Sequence, residues 1–139
     1  MTPPDKKMLK VILDSNALFV PLQFKIDIFE ELRTLLNGNF EPILLLPVKH
    51  ELERLADKGS PKMRKNASFA LKLAEKCKLV NINEEENMAS PDDVIIKAAK
   101  NWKYPVFTND RLLRKRLRDI NVPVIYVRQK SRLEIDGRI

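Results

Sequence analysis

Short apolar runs alternate along this chain with stripes of apolar residues at helical spacing. Leu9 to Leu13 is apolar and partly β-branched and stops at Asp14, which predicts a buried strand. Ile28, Leu32 and Leu35, with Phe29 and Leu36, form a stripe that predicts a helix over 26–36, closed by Asn37, Gly38 and Asn39. A second apolar run, Ile43 to Leu46, is bracketed by Pro42 and Pro47. It is too short for a helix and predicts a strand, leaving Pro47 in the first turn of the next helix. Val48, Leu52, Leu55 and Ala56 carry that helix to Gly59, Ser60 and Pro61. Met63, Ala67, Ala70, Leu71 and Ala74 predict another, reaching about Cys77.

Leu79 to Asn83 alternates as a strand does, and Glu84 to Asn87 reads as an acidic loop. Ser90, Pro91, Asp92 and Asp93 combine a capping hydroxyl, a proline and two first-turn carboxylates, a strong helix start. That helix continues through Val94, Ile95, Ala98 and Trp102. Pro105 to Thr108 predicts a strand. Asn109 and Asp110 open a helix with Leu113, Leu117 and Ile120 inside, and Val122 to Val127 predicts the last strand. Strands alternating with helices imply an α/β fold, a parallel sheet covered on both faces.

The length of 139 residues suits one domain. The reading divides it into a lead-in over 1–8, a folded domain over 9–128 and a basic polar tail over 129–139 without convincing periodicity. Net charge is +7, and from Arg111 onward seven Arg and two Lys face three acids. Basic charge clustered in this way is the usual footprint of a polyanion partner. The helix residues Arg111, Arg114, Lys115, Arg116 and Arg118 are the candidates to hold the phosphates of such a partner. One cysteine, Cys77, excludes an internal disulfide and a cysteine-based zinc site, and points to a reducing, cytoplasmic location. No apolar run approaches the roughly 18 residues of a membrane span.

Candidate chemistry lies where strands end, because open parallel sheets bind ligands beyond their carboxyl edge. Asp14 leaves the first strand. Glu51 sits in the first turns of the helix after the second strand. Asp92 heads the helix after the acidic loop, and Asp110 heads the helix after the Val106–Thr108 run. Carboxylates gathered in this way repel one another unless a cation lies among them, and an all-oxygen set suits Mg²⁺ or Mn²⁺. Asp92 leans towards the buried side of its helix; Asp93 faces outward as a cap with a supporting role. Asn16 and Thr108 are placed to orient the acids. Ser15 has no paired base, since His50 is the single histidine and reads as a surface residue. Cys77, Trp102, Phe107 and Tyr126 read as core.

These segments together resemble the PIN-domain nucleases: Asp14 and Asn16 after a strand, Pro47 to Glu51, Ser90 to Ala99 with its paired Asp92 and Asp93, and Val106 to Asp110. The basic run Arg111–Arg118, Val122–Val127 and Leu133–Asp136 bring the chain nearest to the family's pre-ribosomal RNA processing members and their archaeal counterparts. The resemblance implies a three-layer α/β/α fold on a five-stranded parallel sheet of order 3-2-1-4-5. It implies one or two Mg²⁺ or Mn²⁺ ions held by Asp14, Glu51, Asp92 and Asp110, and hydrolysis of RNA to 5′-phosphate and 3′-hydroxyl ends. Its implied partners are an RNA, above all a ribosomal RNA precursor, ribosome-assembly factors and a second copy of the chain. Two other readings stay open: a toxin-type PIN ribonuclease silenced by a small partner, and a non-catalytic RNA-binding assembly module.

Overall fold

The computed structural model describes residues 8–82 and 90–139; the acidic run Glu84–Asn87 and most of the lead-in lie outside them. Strand β1 (Leu9–Leu13) leads through a 3₁₀ segment (Ser15–Phe19) into α1 (Val20–Phe24) and α2 (Ile28–Leu36). Then come β2 (Phe40–Leu45), α3 (Leu46–Lys58), α4 (Pro61–Ala74) and β3 (Lys78–Val80). The remainder is α5 (Pro91–Trp102), β4 (Val106–Phe107), α6 (Arg111–Asp119), β5 (Val124–Arg128) and β6 (Arg132–Asp136).

The six strands form one sheet of order β3-β2-β1-β4-β5-β6. Strands β1 to β5 are parallel, with Ile12 opposite both Ile43 and Val106, and Val106 opposite Val124. The predicted order 3-2-1-4-5 therefore holds, but a sixth, antiparallel strand extends it. The segment expected to be a polar tail folds back so that Tyr126 pairs with Glu134 and Val127 with Leu133. Gln129 and Lys130 make the turn with φ of 53° and 59°, and the Ser131 N–H donates to the Arg128 carbonyl at 3.2 Å. Arg128 pairs with Arg132, so three residues join the strands, and the positive φ at Gln129 and Lys130 turns the chain back. Here non-glycine residues adopt it, so the usual sequence signal is missing. Leu133 is buried while its neighbours are not, the alternation of a strand with one dry face.

Local chemistry sets the helix ends. The Ser60 Oγ accepts from the Met63 N–H at 3.2 Å, and the Ser90 Oγ from the Asp93 N–H at 3.3 Å. Each satisfies an N–H that the helix itself leaves unpaired. Helix α2 starts at Ile28, later than its apolar stripe predicts, because the Asp27 carboxylate caps it by accepting from Glu30. Before it, α1 ends at Lys25 in the left-handed region. These two short turns, 15–19 and 20–24, carry too few residues for periodicity to announce them.

The core joins Val11, Ile12 and Leu13 of β1, Leu44 and Leu45 of β2 and Phe107 of β4 to Ile28, Leu32, Leu52, Ile95, Leu113 and Leu117 of the helices, all essentially dry. Burying one such Leu side chain contributes about 2 kcal/mol. Phe107 is core as expected, and Cys77 packs half-buried against it. Burial pushes the Cys77 thiol up to about 12, so it stays protonated and unreactive. Trp102 departs from expectation: it remains 37% exposed. It is the last residue of α5, where Lys103 turns left-handed at φ 61°, and it lines a shallow hollow with Glu41, Ile43, Lys78 and Val80.

Candidate active site at the carboxyl edge of the sheet

Parallel register and short connections bring Asp14, Glu51, Asp92 and Asp110 to one edge from four separate elements. Asp14 follows the last residue of β1 and is 3% exposed. Its Oδ1 accepts from the Ser15 N–H at 2.7 Å. Its Oδ2 accepts from the Thr108 hydroxyl at 2.7 Å and the Asn16 Nδ2 at 3.0 Å. Burial nonetheless raises its pKa from 3.8 to about 6: desolvation outweighs the Thr108 and Ser15 hydrogen bonds, and the charges of Asp92 and Glu51 push the same way. The Asp92 carboxyl is also raised, first by desolvation and then by Asp110, against the lowering effect of Arg116. Asp14 and Asp92 thus each feel neighbouring carboxylates, and Arg116 is the opposing charge on Asp92.

Thr108 is buried at the end of β4 and ties three elements together. Its hydroxyl donates to Asp14 and accepts from the Asp110 N–H at 3.1 Å. Asp110 caps α6, its Oδ1 accepting from Leu112 at 2.9 Å and Leu113 at 3.2 Å. Asn16 reaches across the edge, its Oδ1 accepting from the Asn109 N–H at 2.9 Å. Asn109 plays a part that its place in the sequence does not disclose: its Oδ1 accepts from the Val127 N–H at 2.8 Å and fastens β5 to the β4 end. A polar residue directly after an apolar strand was the only signal available.

Asp93 is exposed and bonds Arg116 at 3.0 Å, which holds its carboxyl below the usual range. The expected division between an inner Asp92 and an outer Asp93 agrees with their exposure. His50 is exposed.

The expected metal site is not assembled as a cage. Among the described residues, no three His, Cys, Asp or Glu side chains stand close enough to hold an ion. The reason lies in the bonds just given: Asp110 turns one oxygen to its own helix, both Asp14 oxygens are engaged, and mutual repulsion keeps the remaining acids apart. The donor chemistry still fits a hard cation, since every inward group at this edge is a carboxylate, hydroxyl or amide oxygen.

The basic helix is less free than its sequence suggests. Arg114 lies 3.8 Å over the Tyr126 ring, and the Tyr126 hydroxyl bonds Glu134, so this tyrosine is half-buried support for α6 instead of core. Arg118 pairs with Asp136 at 3.3 Å and Lys115 with Asp119 at 3.5 Å. Arg111, Arg114, Lys115 and Arg118 nevertheless line an open cleft of about 420 Å³ with Asp136, while Arg116 faces the acids.

A family model described as a PIN like domain matches residues 11–130. The chain belongs to the PIN-like domain family. A solved structure of the PIN domain endonuclease Utp24 superposes on this PIN-like domain with a TM-score of 0.78, at 30% identity over 94% of this chain and 92% of that one. Ribonuclease VapC4 of Methanocaldococcus jannaschii is 35% identical over 95% of this chain and all of its own length. The rRNA-processing protein fcf1 of Schizosaccharomyces pombe is 32% identical over 89% of this chain and 62% of its own. The PIN-like domain is thus related to ribonucleases, and among its described residues no helix is long and apolar enough to cross a membrane.

Proposed function

We infer that this PIN-like domain is a divalent-metal-dependent endoribonuclease. The observation that carries the reading is the buried Asp14, raised to about 6 and repelled by Asp92 and Glu51 at the edge where four elements each deliver an acid. Asp14, Glu51, Asp92 and Asp110 are the residues that would hold Mg²⁺ or Mn²⁺. Bound there, the ion would lower the pKa of a water, orient it and stabilise the departing oxygen. Thr108 and Asn16 fix the Asp14 carboxylate, and Asp93 holds Arg116 beside Asp92. The cleft on α6 takes flanking phosphates without reading sequence.

Two substrate readings have specific support. The similarity to fcf1 and Utp24 favours a ribosomal RNA precursor, with assembly factors as partners and the cytoplasm as the place of action. The full-length similarity to VapC4 favours a toxin-type ribonuclease held in check by a small partner. Cleavage of an end-labelled structured RNA tests the common core of both. Wild-type protein cuts in Mg²⁺ or Mn²⁺ and not in EDTA, and Asp14→Asn does not cut; equal cutting by the variant would refute the site. Growth arrest on induced expression, abolished by Asp14→Asn, separates the toxin from the processing enzyme.

A further inference from the structure

The opposite edge of the sheet carries a second feature that the carboxylates do not explain. A cavity of about 710 Å³ opens there, lined among others by Lys10, Lys100, Lys103, Tyr104, Pro123 and Arg138. An adjoining hollow shares Lys10 and Tyr104 and adds Lys78, Trp102 and Glu41. The larger lies at the amino ends of β1, β4 and β5, and the adjoining one runs along β2 and β3 from Glu41 and Lys78 to Ile43 and Val80. Helix α5 ends there, and the chain leaving β6 returns there because β6 runs the other way. Five cations thus ring one groove. The only acid among the described lining residues is Glu41, already paired with Lys10 at 3.1 Å. Tyr104 lines both, and Trp102, which lines the smaller hollow, lies beside it, with ring centroids 5.7 Å apart and planes at 51°. The indole is partly exposed at a helix end, an unusual position for the single tryptophan of the chain.

Aromatic faces beside a cluster of cations suit bases and a phosphate backbone together. An anionic protein surface would need the cations but not two open rings. A duplex offers its bases to neither ring, since they are stacked inside the helix. We propose that this groove binds a single-stranded segment of RNA, with a base on Trp102 and phosphates on Lys100, Lys103 and Arg138. The sheet is one strand deep between the two edges, about 17 Å for five residues. An RNA held here can therefore continue around the domain to the carboxylates. The ligand class rests on the nuclease reading, but binding at this groove does not depend on cleavage.

Trp102 supplies the readout. Its fluorescence is titrated with a short oligouridylate in EDTA, where no cutting interferes. Saturable quenching is expected for wild type. In Lys100→Glu/Lys103→Glu the affinity falls about tenfold or more, and the log–log salt slope shrinks by about 1.4, two phosphate contacts on a single strand. Both lysines are exposed, and an unchanged urea midpoint shows that the variant folds. Absent quenching, or quenching indifferent to the double reversal, overturns the groove even where the protein cuts RNA. Quenching as described by a protein that cuts nothing upholds the groove and removes the nuclease. Quenching by phosphatidylserine vesicles but not by oligouridylate also overturns the proposal, in favour of a membrane surface.

Discussion

Asp14 is held by three hydrogen bonds and is still hard to ionise, because the water it gave up solvated it better than those partners do. The sign of the consequence follows from its raised pKa. Between about 3.8 and 6 the folded protein binds a proton that the unfolded chain has released, so stability falls as pH rises through that window. Above it the metal-free fold carries a penalty of up to about 3 kcal/mol. Asp14→Asn removes the penalty and loses about one hydrogen bond, since the new amide must face a donor. At neutral pH in EDTA it is expected to be more stable than wild type by about 1–2 kcal/mol. Its urea midpoint should depend less on pH between 4 and 6 than that of wild type; a variant less stable than wild type at pH 7 would contradict the assigned burial cost. Thr108→Val keeps the shape and deletes the hydroxyl joining Asp14 to the Asp110 N–H. It should cost about 1–3 kcal/mol and lower cutting about 10- to 100-fold, as losses behind a ligand do. The Asp14 transition, followed by pH-dependent stability, should move upward.

At the scale of elements, capping residues and apolar stripes made most helices legible. Ser90 and Asp110 cap where the sequence places them, and Ser60, read only as the end of one helix, caps the next. Strand β6 escaped notice because its turn uses Gln129 and Lys130 where Asn-Gly would have announced a hairpin, although Leu133 and Ile135 alternate with Glu134 and Asp136. Leu133→Ala should therefore cost about 2–4 kcal/mol in urea unfolding; a cost near zero would return 129–139 to the status of a tail. Helix α6 was legible as basic but not as braced. Arg114 spends its ring contact on Tyr126 and Arg116 its fork on Asp93. Replacing Arg114, Lys115 and Arg116 with Ala is expected to weaken RNA binding and to reduce its salt slope by about 2, three single-strand contacts, measured by filter binding in EDTA.

For the molecule as a whole, topology did what no single residue could: it brought acids scattered between positions 14 and 110 to one edge, within electrostatic reach of one another but not as a cage. That was readable for Asp14 and Asp110, which follow apolar strands within three residues, and for Glu51 and Asp92 from their places in the first two turns of helices. The precise reach of each side chain was not, since Asp110 has to choose between its helix and the cluster. A saturating divalent ion should stabilise the fold by about 2.7 kcal/mol at a hundred times its Kd. The gain should grow from pH 5 to pH 7.5 as Asp14 gives up its proton, and thermal melts with Mg²⁺ or Mn²⁺ at both values check it. No gain at either pH would separate the acids from metal altogether.

The antiparallel β6 has one more effect. A parallel sheet ending at β5 would offer Tyr126 and Val127 to any strand able to pair with them, an open template for self-association. With β6 in place, the outermost row carries Arg132, Glu134 and Asp136, and the Arg132–Glu134 and Arg118–Asp136 pairs hold opposite charges along it. A second copy approaching edge to edge would have to strip water from these ions before any backbone bond formed. The last strand thus acts as a guard against aggregation in a protein whose other strands are almost wholly apolar.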